Sequence, residues 1–132
     1  MTSLLVVEDH PLFVQSLVRL LREKGNYEVA SVASGEQALQ QLGDAAGYDL
    51  ILIDVSLPGQ NGIDLIAEIH RRNPAMPCLM VSGHTASHYV HQSMEAGARG
   101  YVLKEDISGI LEGIRQVLRG GTYLSRAVRP RE

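Results

Sequence analysis

Leu50-Ile51-Leu52-Ile53 is a run of four apolar residues that ends in a carboxylate, Asp54, and meets a Pro58-Gly59 pair soon after. A short, unbroken apolar run bounded by turn residues reads as a strand buried on both faces. A chain with such a strand must cover both faces of its sheet, and helices usually do so. Asp54 then stands at the carboxyl end of a central strand, the edge where open α/β sheets bind ligands.

The rest of the chain repeats this pattern. Residues 4–7 form an apolar run ending in Glu8-Asp9, and His10-Pro11 opens a helical pattern carrying Phe13, Leu17, Leu20 and Leu21. Residues 27–33 alternate weakly, as an edge strand does. Ser34, with Gln37 three residues on, marks a helix start. That helix runs to about Leu42, and residues 43–47 read as loop. Ile63, Leu65, Ile66 and Ile69 mark a third helix, ended before Pro74. Residues 78–81 are a fourth run, ending in Ser82, and a helix over about 86–96 closes at Gly97. Residues 101–103 are a short run ending in Lys104, followed by an amphipathic helix from Ile107 to the Gly120-Gly121 pair. Strand and helix thus alternate five times, which implies a parallel sheet with helices on both faces. The reading is one domain over residues 1–121, with 122–132 a linker or C-terminal tail that carries Arg126, Arg129 and Arg131 but no core periodicity.

Composition narrows the class. The net charge is −3, so no global basic field attracts nucleic acid. The single cysteine, Cys78, excludes an internal disulfide and reads as a small buried hydrophobe. No segment resembles a signal peptide or membrane span, and the expectation is a cytoplasmic protein without membrane contact.

In a parallel sheet the ends of these runs share one edge. Glu8, Asp9, Asp54, Ser82 and Lys104 would meet there. Carboxylates about 4 Å apart repel by roughly 4 kcal/mol per pair at an effective dielectric near 20. Oxygen ligands of this kind suit a hard divalent cation, Mg²⁺ above all, which keeps positions open for a phosphoryl group. Lys104 and Ser82 would hold that group's remaining oxygens. Asp54 is the best-placed nucleophile, since aspartyl-phosphate is a known covalent species. The residues alone therefore point to Mg²⁺-assisted phosphoryl transfer onto Asp54. His84, His88 and His91 fall near one face of the fourth helix at metal-like spacing but read as a solvated face. Asp64, Glu68 and Arg71-Arg72 read the same way.

Val7-Glu8-Asp9-His10-Pro11, Ile53-Asp54 with Pro58-Gly59 and Gly62, and Gly97-Ala98-Arg99-Gly100-Tyr101-Val102-Leu103-Lys104 resemble the receiver domain of two-component response regulators. Gly120-Gly121-Thr122-Tyr123-Leu124-Ser125 further resembles receivers that precede a LuxR-type helix-turn-helix domain. The resemblance implies a flavodoxin-like (βα)5 fold, a doubly wound parallel five-stranded sheet of order 2-1-3-4-5. It implies Asp54 as phosphoacceptor. Glu8, Asp9, Asp54 and the backbone carbonyl of Ser56 would hold Mg²⁺, Glu8 mostly through water. Lys104 and Ser82 would bind the phosphoryl group. Ser82 and Tyr101 would be the switch, the hydroxyl moving to the phosphoryl group and the ring turning inward behind it. Ser56 and His84 would tune the phosphoryl lifetime. Glu105 stands where many members have proline after a cis bond.

The implied partners are a sensor histidine kinase and a second copy in a homodimer. DNA would be reached only through an output domain outside these 132 residues. The function implied is phosphorylation-dependent signalling rather than enzymatic turnover. Two rivals differ in class. A phosphorylation-independent interaction module fits the acidic pair, Asp54 and Lys104 poorly. A Mg²⁺-dependent aspartyl-phosphate phosphatase normally has a second Asp two residues after the nucleophile, where this chain has Ser56.

Overall fold

The computed structural model describes residues 1–43 and 47–130. Most of the loop read at 43–47, and Arg131 and Glu132 of the tail, lie outside the described residues. Ten elements alternate: β1 (Ser3–Val7), α1 (Pro11–Gly25), β2 (Glu28–Val32), α2 (Gly35–Leu42), β3 (Leu50–Ile53), α3 (Gly62–Arg72), β4 (Cys78–Ser82), α4 (Ser87–Ala96), β5 (Gly100–Leu103) and α5 (Ile107–Leu118). A short strand, β6 (Tyr123–Leu124), and a 3₁₀ turn (Arg126–Val128) follow.

Caps explain where the helices begin. His10 accepts from Phe13 N at 3.3 Å and Pro11 fills the first position of α1, where a missing N–H costs nothing. Ser34 accepts from Gln37 N at 3.2 Å, and Gln37 Oε1 reaches back to Ala33 N at 2.8 Å. Asn61 caps α3 and Asp106 caps α5 in the same way. Asn26 ends α1 in the left-handed region at φ 57°, a conformation that asparagine tolerates.

All strands run parallel, in the order β2-β1-β3-β4-β5-β6. The order expected for the first five strands is observed, and the sheet is extended by one. Alternate residues face opposite sides of a strand. Leu5, Val7, Ile51, Ile53, Met80 and Tyr101 pack with Ala38 of α2, Leu65 and Ile69 of α3 and Val90 of α4. Leu4, Val6, Leu50, Leu52, Leu79 and Val102 pack with Leu17 and Leu21 of α1 and Ile110 and Ile114 of α5. Chain order reverses between β1 and β3, which opens a crevice at their carboxyl ends.

The tail beyond α5 is docked on the sheet. Tyr123 and Leu124 pair with Gly100 and Tyr101 of β5, and Ser125 is 1 % exposed. Two residues are too few to show a strand period, so the pairing left no signature in the sequence. The Lys104-Glu105 peptide bond is trans. No described helix is long and apolar enough to cross a membrane.

Candidate phosphoacceptor site

The four strand ends meet as parallel topology requires. Glu8 and Asp9 follow β1, Asp54 follows β3, Ser82 ends β4 and Lys104 follows β5. One carboxylate oxygen from each of Glu8, Asp9 and Asp54 lies within 4.8 Å of the others. Glu8 and Asp54 are each 4 % exposed, while Asp9 faces solvent.

Lys104 spans the buried pair. Its Nζ lies 2.6 Å from Glu8 Oε1 and 3.3 Å from Asp54 Oδ2. Glu8 Oε1 is buried, and the ammonium is the one cation that reaches it among the described residues. The Phe13 ring of α1 sits 4.9 Å from the ammonium, which adds a cation–π contact. Burial pushes the lysine down, but the two carboxylates push it up by more, so it titrates above the usual lysine range. Burial pushes Glu8 above the usual carboxylate range, reinforced by the Asp54 charge and opposed by Lys104. One cation thus touches two of the three clustered carboxylates. An all-oxygen donor set of three clustered carboxylates beside a single ammonium fits a hard divalent ion such as Mg²⁺. Among the described residues it is the one cluster of that type. His84 and His88 instead pack on the Tyr89 ring at 4.5 and 4.2 Å, and His91 pairs with Glu95. Glu68 pairs with Arg71 and Arg72 on the exposed face of α3.

The rim is a hydrogen-bonded chain. Ser82, fully buried, accepts from His84 N at 3.0 Å. His84 O accepts from the Tyr101 hydroxyl at 2.8 Å, and His84 Nε2 meets Ser56 Oγ at 2.9 Å. Ser56 and His84, paired in the sequence reading only by inferred role, are thus in contact. The Tyr101 ring is 0 % exposed and already lies inward in this structure. Burial raises the Tyr101 hydroxyl above the usual tyrosine range.

Three features of the site escaped the sequence reading. Gly62, noted only as a motif residue, packs so closely that an added Cβ would fall 2.0 Å from Asp54 O. Phe13, part of the helical pattern of α1, places its ring over the Lys104 ammonium. Glu8 is the nearer partner of Lys104. None of these follows from spacing along the chain. A cavity of about 200 Å³ between α2 and α3, lined by Leu39, Leu42, Ile69 and Met76, contains none of the site residues.

Similarity to known proteins assigns the chain to a family. Residues 4–119 match the family described as the response regulator receiver domain. The transcriptional regulatory protein DegU of Brevibacillus brevis is 32 % identical over 124 residues, covering 92 % of this chain and 52 % of DegU. The chain spans about half the length of the curated relatives it matches. A LuxR-family two-component response regulator from Aurantimonas sp. SI85-9A1 superposes with a TM-score of 0.90 at 27 % identity, covering 97 % of this chain and 93 % of that one. A CheY-like receiver domain protein from Methanospirillum hungatei JF-1 gives 0.82 at 28 %, covering 91 % and 95 %. With its acidic cluster and strand-end lysine arranged in this way, the chain belongs to the response regulator receiver domain family.

Proposed function

We propose that this receiver accepts a phosphoryl group on Asp54 from a sensor histidine kinase and signals through the change that follows. The observation that carries the reading is the buried Asp54 carboxylate. It sits within 4.8 Å of two further carboxylates and 3.3 Å from an ammonium. An Asp54 oxygen attacks phosphorus, the bond to the donor's imidazole nitrogen breaks, and that nitrogen keeps the electron pair. Glu8, Asp9, Asp54 and the Ser56 carbonyl would hold Mg²⁺. When bound, the ion supplies charge neutralisation for the phosphoryl oxygens. Lys104 exchanges part of its contact with Glu8 and Asp54 for a phosphoryl oxygen. Ser82 offers its hydroxyl once it gives up the His84 amide.

Phosphorylation adds about 1.5 to 2 negative charges and strong acceptors at this point, enough to bias a local two-state element. Ser82 and Tyr101 form that element in this reading. The Tyr101 ring is already buried, so the moving part is the Ser82–His84–Tyr101 chain. Ser56 and His84 together set how fast water reaches the acyl phosphate. Self-catalysed phosphorylation and dephosphorylation are the extent of the chemistry, and Mg²⁺ is the cofactor.

Transcriptional control, the activity named for DegU, is proposed where the receiver is joined to an output segment that contacts DNA. Homodimerisation and a cytoplasmic location belong to the same reading. The test is mass spectrometry after acetyl phosphate and Mg²⁺ treatment, with Asp54→Asn as control and beryllofluoride as a hydrolysis-proof analogue. A mass gain of one phosphoryl group in wild type alone is expected. Wild type that neither gains mass nor binds beryllofluoride would leave a phosphorylation-independent interaction module.

A further inference from the structure

The tail beyond α5 is tied to the same turn that carries Lys104. Ser125 N donates to Tyr101 O at 2.9 Å, continuing the β5–β6 ladder. The next rung would need a main-chain acceptor opposite the Leu103 amide. Ser125 Oγ takes that place, accepting from Leu103 N at 3.0 Å and donating to Asp106 Oδ2 at 2.7 Å. Ser125 is buried, so water offers no substitute partner. Asp106 is itself fixed. Its Oδ1 accepts from Gly109 N at 3.0 Å and its own N donates to Leu103 O at 3.0 Å. Gly109 permits this, since a Cβ there would lie 2.0 Å from Asp106 Oδ2.

Lys104 is therefore launched from a turn held on three sides. Its own amide donates to Ser82 O on β4 at 2.9 Å. The amide before it is held by Ser125, and the residue two beyond it is held by Ser125 and the first turn of α5. The backbone sets where the lysine stem begins, and Glu8, Asp54 and Phe13 hold the ammonium at its other end. We infer that Ser125 and Asp106 are positioning residues for Lys104, joining the docked tail and the phosphoryl-binding ammonium into one unit. The inference rests on Asp54 being the phosphoacceptor. Coupling between two sites is reciprocal. Tail docking that favours the binding position of Lys104 is itself strengthened, by the same factor, when Asp54 carries a phosphoryl analogue.

Ser125→Ala removes both hydrogen bonds of the hydroxyl without touching a carboxylate of the site. Beryllofluoride affinity in the presence of Mg²⁺ should fall about fivefold, the net worth of one hydrogen bond. Affinity for Mg²⁺ alone should stay at the wild-type value. In wild type, amide exchange at Leu103 and Ser125 should slow when beryllofluoride binds. Equal beryllofluoride affinity in Ser125→Ala and wild type overturns the inference. So does an equal fall in both affinities, which signals general loosening of the site. Should Ser125→Ala not fold, Asp106→Asn carries the test. It keeps an acceptor for Gly109 N and turns a donor towards the Ser125 hydroxyl, with the same split expected. A wild type that binds beryllofluoride no better than Asp54→Asn removes the phosphoacceptor reading and this inference with it. A responsive wild type with an unmoved Ser125→Ala removes this inference alone.

Discussion

Replacing Lys104 with methionine isolates the electrostatics of the site. Methionine keeps much of the stem but removes the charge, and with it the cation–π contact to Phe13. Two carboxylates lose their cation. The Glu8 side chain is 3 % exposed with the ammonium at 2.6 Å, and Asp54 is 5 % exposed with it at 3.3 Å. Removing one partner from a fully buried pair costs roughly 3–5 kcal/mol. The Lys104 side chain is 26 % exposed, so solvent screens part of the interaction. A cost of about 2 kcal/mol at pH 7.5 is therefore expected. With a urea m-value of about 2 kcal/mol/M, the unfolding midpoint should drop by about 1 M.

The pH dependence has a definite sign. In wild type, Lys104 titrates above its unfolded value of 10.5. Its contribution is fully present below that value and is lost as pH rises through the higher folded one. Glu8 is already raised by burial, and in Lys104→Met it loses the ammonium that opposed the rise. The folded variant therefore takes up a proton at Glu8 more readily than wild type does. The stability gap should narrow as pH falls from 7.5 towards 5. Added Mg²⁺ should stabilise the variant more than wild type, because it replaces the missing cation. Urea titrations at a series of pH values measure both effects. An unchanged midpoint at pH 7.5, or a gap that stays constant down to pH 5, would refute the reasoning.

Three further outcomes are expected. Gly62→Ala places a Cβ 2.0 Å from Asp54 O where ordinary contact begins at 3.4 Å, so β3 or α3 must shift by about 1.4 Å. The variant should lose about 2 kcal/mol in urea unfolding and bind beryllofluoride more weakly; wild-type values for both would contradict the packing argument. Burial pushes the Cys78 thiol up to about 12, so iodoacetamide at pH 8 should label the protein only after denaturation. The unfolded thiol ionises first, so stability should decline between pH 9 and 12, and rapid labelling of native protein would show the thiol is reachable. His84→Ala keeps the backbone bonds to Ser82 and Tyr101 but opens the Ser56 bridge. Its phosphoryl group should be lost several-fold faster after acetyl phosphate is removed, and an unchanged decay would free the bridge of any part in excluding water.

What the sequence alone determined was the site's membership. Apolar runs fix strands, and the parallel sense of a β-α alternation sends every carboxyl end to one edge. Glu8, Asp9, Asp54, Ser82 and Lys104 were therefore legible as neighbours, although Lys104 is 50 residues from Asp54. Capping was legible too, because Ser34 and Gln37 act across a single turn. Only tertiary packing decided the partners within that set. It brought Glu8 closer to Lys104 than Asp54, pressed Gly62 against the Asp54 carbonyl and set the Tyr101 ring inward under His84. It also docked the tail, through a two-residue strand and a hydroxyl that bonds to an amide 22 residues away. Periodicity records which face of an element is buried. It holds no record of contacts made by one atom between distant segments, and at this site those contacts set where the charges lie.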